Sequence, residues 1–171
     1  MPARAGRYRL ATRKEHMKLT TKGRYAVTAM MDLALHAKLD RVSLVDIAER
    51  QKISLAYLEQ LFRSLRKAGL VLSVRGAKGG YMLARDAKEI SLADILVAAD
   101  ENINLACGGG NTCNEAKPCL THNLWTNLSR EFFTFLHDQK LSDVVRTRHV
   151  QTLATQQDIT QIGDIPIQLN R

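Results

Sequence analysis

The stretch from Ser43 to Leu83 constrains the fold more than any other, because two capped helical segments almost touch and a glycine-rich basic turn follows them directly. Ser43, with Asp46 three residues later, resembles a capping box with Asp in place of Glu and starts a short helix over Leu44–Gln51. Lys52–Ile53 leaves room only for a tight connection. Ser54 then caps a longer helix whose Leu55, Leu58, Leu61, Phe62 and Leu65 form one inner face, and Gly69 can end it in the left-handed conformation. Two short apolar runs, Leu70–Val74 and Tyr81–Leu83, flank the turn RGAKGG over Arg75–Gly80 and read as a β-hairpin. Short helix, tight turn, longer helix and basic hairpin is the order of a winged helix-turn-helix. In that motif the second helix of the pair enters the major groove and the hairpin reaches the backbone or minor groove.

The rest of the chain reads as helix and loop. Thr20 or Thr21 caps a first helix to about Lys38, with Ala26, Val27, Met30, Leu33, Ala34 and Ala37 on its buried side. Ser91 caps another helix to about Asp100, and a long amphipathic helix is predicted from Leu120 to Lys140, with a further turn at Ser142–Arg146. Residues 1–16 read as a disordered basic extension before a winged helix-turn-helix domain over 17–101. A ligand loop over 102–119, a long-helix region over 120–146 and a polar, disordered tail over 147–171 complete the organisation. No internal repeat and no apolar run of the roughly 20 residues needed to span a bilayer is present. The basic N-terminal residues lack the apolar stretch of a secretory signal, so the expected compartment is the cytoplasm, where thiols stay reduced.

Charge points the same way as the motif. Residues 1–85 carry 18 Lys or Arg against 6 Asp or Glu, whereas residues 86–171 carry 7 against 11, within a chain of net charge +8. A basic front half joined to a mildly acidic back half suggests a polyanion-binding module, and double-stranded DNA is the leading partner. On the outward face of the Ser54–Lys67 helix, Tyr57, Gln60, Arg63, Arg66 and Lys67 offer phosphate contacts or base-edge donors, and Ala56 suits a thymine methyl. Arg75 beside Gly76 suits a narrow minor groove, and Arg24, Ser54 and Lys78 complete the candidate DNA contacts. A solvated helix face would mix signs, yet Glu59 is the only acid between Ser54 and Arg85. It either accepts from cytosine N4 and narrows the set of accepted operators, or pairs with Arg63 one turn on. The two roles are compatible.

All three cysteines, Cys107, Cys113 and Cys119, lie in one loop spaced C-x5-C-x5-C, with His122 three residues beyond and Gly108, Gly109 and Gly110 between the first two. A disulfide is disfavoured by compartment and by the odd count. A thiol switch leaves His122 and the glycines without a role. Zinc accepts three thiolates and one imidazole. An iron–sulfur cluster also accepts thiolates, and substituting imidazole raises its potential. Spacing leaves zinc and iron–sulfur open. No nucleotide loop, nucleophile–base pair or carboxylate pair is present, and Arg75–Gly80 lacks the Walker pattern, so an enzyme is not expected.

The runs MKLTTKGRYAVTAMMDLAL, SLVDIAERQKISLAYLEQLFRSLRKAGLV and SVRGAKGGYMLA, with the C-x5-C-x5-C-x2-H loop leading into LTHNLWTNLS, resemble the winged-helix family of cluster-sensing bacterial regulators of the IscR type over about residues 17–146. The resemblance implies a mainly α fold with a small β-wing: a winged helix-turn-helix domain plus a long dimerisation helix that crosses between subunits of a homodimer. It implies a [2Fe–2S] cluster on Cys107, Cys113, Cys119 and His122, supplied by the cluster-assembly machinery. Regulators of this type repress cluster-assembly genes when loaded, and the cluster-free form controls other promoters. This chain departs from the pattern in the sixteen residues before Met17, in Ala56 where serine is usual and in the wing turn Ala77–Lys78. The nitric-oxide-sensing NsrR-type repressors share the fold and a three-cysteine loop without a histidine just after the third cysteine. Cysteine regulators of the same fold carry no cluster.

Overall fold

The computed structural model describes residues 19–37, 41–76, 79–101 and 118–163, the last with side chains as far as Asp158. The first helix, α1 (Thr21–His36), is capped by Thr20, whose hydroxyl accepts from the Gly23 N–H at 3.3 Å. In α2 (Leu44–Gln51) the Ser43 hydroxyl accepts from the Asp46 N–H at 3.1 Å. Lys52 ends that helix in the left-handed region at φ 53°, a conformation uncommon outside glycine, and turns the chain into the next helix within three residues. Ser54 caps α3 (Leu55–Lys67) by accepting from the Tyr57 N–H at 3.3 Å, and Gly69 follows at φ 72° as the expected left-handed stop.

The hairpin pairs β1 (Val71–Val74) with β2 (Gly80–Leu83) in antiparallel register, Val71 opposite Leu83 and Val74 opposite Gly80. Val42, just before α2, exchanges two backbone hydrogen bonds with Tyr81, at 3.0 and 2.8 Å, and so ties the wing to the helix pair. A Cβ on Gly80 would stand 2.7 Å from the Val42 carbonyl oxygen, so this close approach requires glycine. A complete capping box, with Ser91 and Asp94 satisfying each other's backbone N–H, starts α4 (Leu92–Ala98). Then come α5 (His122–Asp138), α6 (Leu141–Val145) and α7 (Arg148–Gly163).

The larger apolar core of the described residues lies beneath the helix pair and wing, the candidate DNA-reading head. Leu58, Leu61, Phe62 and Leu65 of α3 pack with Ala26, Ala29, Met30 and Leu33 of α1, Ile47 of α2 and Val71 of β1. Burying each large aliphatic or aromatic side chain contributes about 1.5–3 kcal/mol, so α3 is fixed chiefly by its inner face. Phe62 meets Tyr81 edge-on with ring centroids 4.8 Å apart, which sets the wing against α3. The far end of α5 docks on the same head: Leu92 donates to the Gln139 carbonyl at 2.9 Å and Leu141 to the Ile90 carbonyl at 2.8 Å. Leu141 is fully buried there.

A disordered segment is expected from residue 147, but residues 148–163 form α7. Its polar Gln- and Thr-rich composition conceals one packing face: Val150, Leu153, Ala154 and Gln157 recur at three- and four-residue steps and line a hollow shared with Met31 and Leu35 of α1. Gln51 donates to Gln157 at 3.1 Å, and Asp158 Oδ1 lies 3.0 Å from His36 Nε2. Among the described residues no helix is long and apolar enough to cross a membrane.

Candidate nucleic-acid interface and ligand loop

The fold buries one face of α3 and leaves the candidate DNA contacts on its other face exposed. Ala56, Glu59, Gln60, Arg63, Arg66 and Lys67 are exposed, as are Ser54 before them and Arg24 on α1. Tyr57 is half-buried, its ring edge-on to Tyr25 of α1 with centroids 5.7 Å apart. The first turn of α3 is thus set against the first turns of α1. Arg66 donates to the Ser73 hydroxyl of the wing at 3.2 Å, so this guanidinium joins helix to hairpin, a contact that helical spacing alone does not reveal. Arg75 and Gly76 are exposed at the wing tip, Gly76 at φ 127°. Lys78 lies outside the described residues. Among the described residues no ion pair within 4.0 Å joins Glu59 to Arg63.

Of the four candidate ligands, Cys119 and His122 fall within the described residues, and Cys107 and Cys113 lie outside them. Cys119 and His122 are both half-buried at the start of α5. The His122 N–H donates to the Cys119 carbonyl at 3.0 Å, so one backbone turn fixes the spacing of thiol and imidazole, and the Cys119 Sγ is 3.5 Å from Thr121 Oγ1. A thiol and an imidazole on one turn fit a centre that takes sulfur and nitrogen donors.

From its Cys119–His122 end, α5 carries an apolar stripe that the described residues leave exposed. Leu124, Trp125, Leu128 and Phe135 are 61, 40, 42 and 57% exposed, whereas Leu136 on the opposite side is buried against Ala93 and Leu96. This is the helix of the predicted dimer contact.

Two buried polar clusters escape the sequence reading. At the base of the head, Asp32 on α1 accepts from Arg50 Nε at 3.0 Å, Arg50 Nη2 at 2.7 Å and Gln51 Nε2 at 2.7 Å. Burial alone would push its carboxyl up, but the hydrogen bonds from His36, Arg50 and Gln51 and the Arg50 charge bring it down to about 2. Bonding to Asp32 raises the His36 imidazole above its ordinary range against the cost of burial. The second cluster centres on Glu101, immediately before the ligand loop, which accepts from the Thr20 N–H at 2.9 Å and from the Thr20 hydroxyl. Burial opposes ionisation of this carboxyl as well, and the Thr20 and Gly23 hydrogen bonds with nearby Lys22 outweigh it, so Glu101 titrates below the usual glutamate range.

Comparison with known proteins agrees with this architecture. The Rrf2 family profile, described as an iron-dependent transcriptional regulator, matches residues 19–147. A putative HTH-type transcriptional regulator, ORF2, of Azotobacter vinelandii is 51% identical over 152 residues, 88% of this chain and 93% of its own length. The HTH-type transcriptional regulator IscR of Vibrio atlanticus is 50% identical over 144 residues, covering 84% of this chain and 83% of its own length. Among solved structures, T. potens IscR superposes with a TM-score of 0.63 at 41% identity over 76% of this chain and 87% of its own. CymR of B. subtilis, a global cysteine regulator, superposes with a TM-score of 0.65 at 34% identity over 75% and 96%. These relatives are regulators rather than enzymes, and the winged helix-turn-helix is their shared fold. The chain belongs to the Rrf2 family of iron-dependent transcriptional regulators.

Proposed function

We propose that this regulator is a cytoplasmic homodimer that binds double-stranded operators and reports iron–sulfur cluster supply. In this reading it represses cluster-assembly genes when loaded with a [2Fe–2S] cluster, and its cluster-free form acts at other promoters. The observation that carries the reading is the placement of α5. The helix begins at the Cys119–His122 ligand pair and ends, about 25 Å away for its 17 residues, on the backbone of the reading head at Ile90 and Leu92. Cys107, Cys113, Cys119 and His122 would hold the cluster, received from the cluster-assembly machinery. The bound group supplies a labile, redox-active centre whose presence depends on cellular supply. The ligand loop and α5 then set where the two heads stand in the dimer. For the loading state to matter, DNA must prefer one placement, and a coupling of about 1–3 kcal/mol changes affinity roughly 5–150-fold. The full set of three cysteines and His122 favours this centre over the cluster-free cysteine regulators of the same fold.

On DNA, Arg63, Arg75 and Lys67 take phosphates or groove edges, and Glu59 discriminates among bases. A carboxylate facing phosphates is unfavourable unless a cytosine N4 donor meets it, so it rejects sites that lack one. Selection of duplexes from a randomised library tests this. Arg63→Ala weakens binding, whereas Glu59→Ala is expected to bind comparably but accept a broader set of sequences, with about 1–3 kcal/mol of discrimination lost at one base pair of each half-site. Identical selected motifs from the parent protein and Glu59→Ala would remove Glu59 from the reading face.

A further inference from the structure

We propose that Glu101 is a positioning residue that passes the state of the ligand loop to the DNA-reading face by clasping the first turn of α1. The proposal rests on the reading of the chain as a cluster-responsive regulator. Glu101 is the last described residue before the segment that holds Cys107 and Cys113, and it is only 9% exposed. Its backbone is held at one side: Asp100 turns the chain at φ 57°, and the Glu101 N–H donates to the Leu96 carbonyl of α4 at 3.0 Å. Its side chain is held at the other, by the Thr20 N–H at 2.9 Å and the Thr20 hydroxyl. That hydroxyl also accepts from the Gly23 N–H, so one side chain serves as both helix cap and clasp.

The fit is close. A Cβ on Gly23 would stand 2.8 Å from Glu101 Oε2, and the glycine is buried. A carboxylate brought from a distant segment to a helix N-terminus is also favoured by the unpaired N–H groups and the helix dipole. The clasped turn faces the DNA-reading helix: Lys22 shares a hollow with Tyr57, Gln60 and Ser64, and Tyr25 meets Tyr57 edge-on. A change in how the chain is held just after Glu101 would therefore reach α1 through this carboxylate, and α1 meets the first turn of α3. The same link runs in reverse, so DNA binding feeds back on how firmly the loop is held.

Two substitutions break the clasp with opposite consequences for helix stability. Glu101→Ala removes the acceptor. Gly23→Ala displaces the carboxylate while placing a better helix former in α1. The test measures, for the full-length parent and each variant, the dissociation constant of a duplex selected by the parent from a randomised library, in cluster-free and reconstituted protein. Hydrogen exchange over residues 19–25 is followed in parallel. In both variants cluster-free affinity stays within about twofold of the parent and the ratio between the two forms falls toward one. Loading then no longer slows exchange in residues 19–25. Glu101→Gln, which keeps an oxygen for the Thr20 N–H, restores part of the ratio. A full ratio retained in both alanine variants overturns the proposal. So does a ratio lost only in step with cluster-free affinity, which marks general damage. A parent protein that binds equally with and without cluster overturns the underlying sensing reading too, and is recognised by the parent measurement alone.

Discussion

Asp32→Ala is expected to destabilise the reading head by about 3–5 kcal/mol, the usual cost of removing one partner of a buried ion pair. The Asp32 side chain is fully buried and that of Arg50 is 7% exposed, with 2.7 Å between Arg50 Nη2 and Asp32 Oδ1. Alanine would strand the guanidinium, the Gln51 amide and His36 in a site built around one carboxylate. The pair joins α1 to α2, so its loss loosens the support of the helix-turn-helix. The effect reaches α7 as well. His36 places Nδ1 2.8 Å from the Asp32 carbonyl and Nε2 3.0 Å from Asp158, two partners that only accept, and an imidazolium satisfies both.

The pH dependence follows from the directions of the shifts. Asp32 titrates near 2, below its ordinary value of 3.8, so its contribution is complete above about pH 4 and is lost as pH falls through 2. His36 is raised above 6.5, so its contribution is complete below that value and fades as pH rises through the folded value. Urea unfolding between pH 2 and 8 tests both. The parent should lose stability on the acid side of pH 4, and Asp32→Asn should lack that part of the decline. A loss below about 1 kcal/mol in Asp32→Ala, with an unchanged acid limb, would show that the pair is not a support of the head.

The second large effect concerns assembly. Leu128→Glu should convert the proposed dimer to a monomer and reduce affinity for a two-half-site operator by roughly 10²–10⁴-fold, the range expected when two linked binding events become one. Leu128 lies mid-stripe between Leu124 and Phe135, and a patch of large apolar side chains that the described residues leave exposed fits an association surface. A two-fold contact applies the same substitution twice, bringing two glutamates into one apolar interface. Light scattering should give twice the 19.1 kDa chain mass for the parent and that mass for the variant, with helix content unchanged by circular dichroism. A monomeric parent, or a variant that stays dimeric, contradicts this assignment.

The head was readable because its signals are local. Ser43, Ser54 and Ser91 each cap the helix predicted for them, Gly69 adopts the left-handed stop, and the glycines of the wing mark the turn. The inner face of α3 follows from spacing at Leu58, Leu61, Phe62 and Leu65, whereas Leu55, expected on the same face, is 39% exposed in the first turn. What the sequence hid depends on distant partners. Asp32 and Arg50 look like two surface charges eighteen residues apart until α1 and α2 pack. Glu101 meets Thr20 across 81 residues, and nothing in its neighbourhood predicts that. The face of α7 is diluted by glutamines and threonines, so composition outweighed periodicity. The candidate ligand set stands out in the sequence as a cluster of cysteines and a histidine, and spacing does not choose between metals because zinc and iron–sulfur centres accept the same donors.

That choice decides the central claim, and iron, zinc and acid-labile sulfide analysis of protein purified without oxygen tests it most directly, together with a visible absorption spectrum. The account predicts about two irons and two sulfides per chain and a red-brown spectrum that disappears in Cys107→Ala. One zinc without sulfide would contradict it and leave a DNA-binding protein with a structural metal, and a four-iron cluster that reacts with nitric oxide would contradict it in favour of a nitric-oxide sensor.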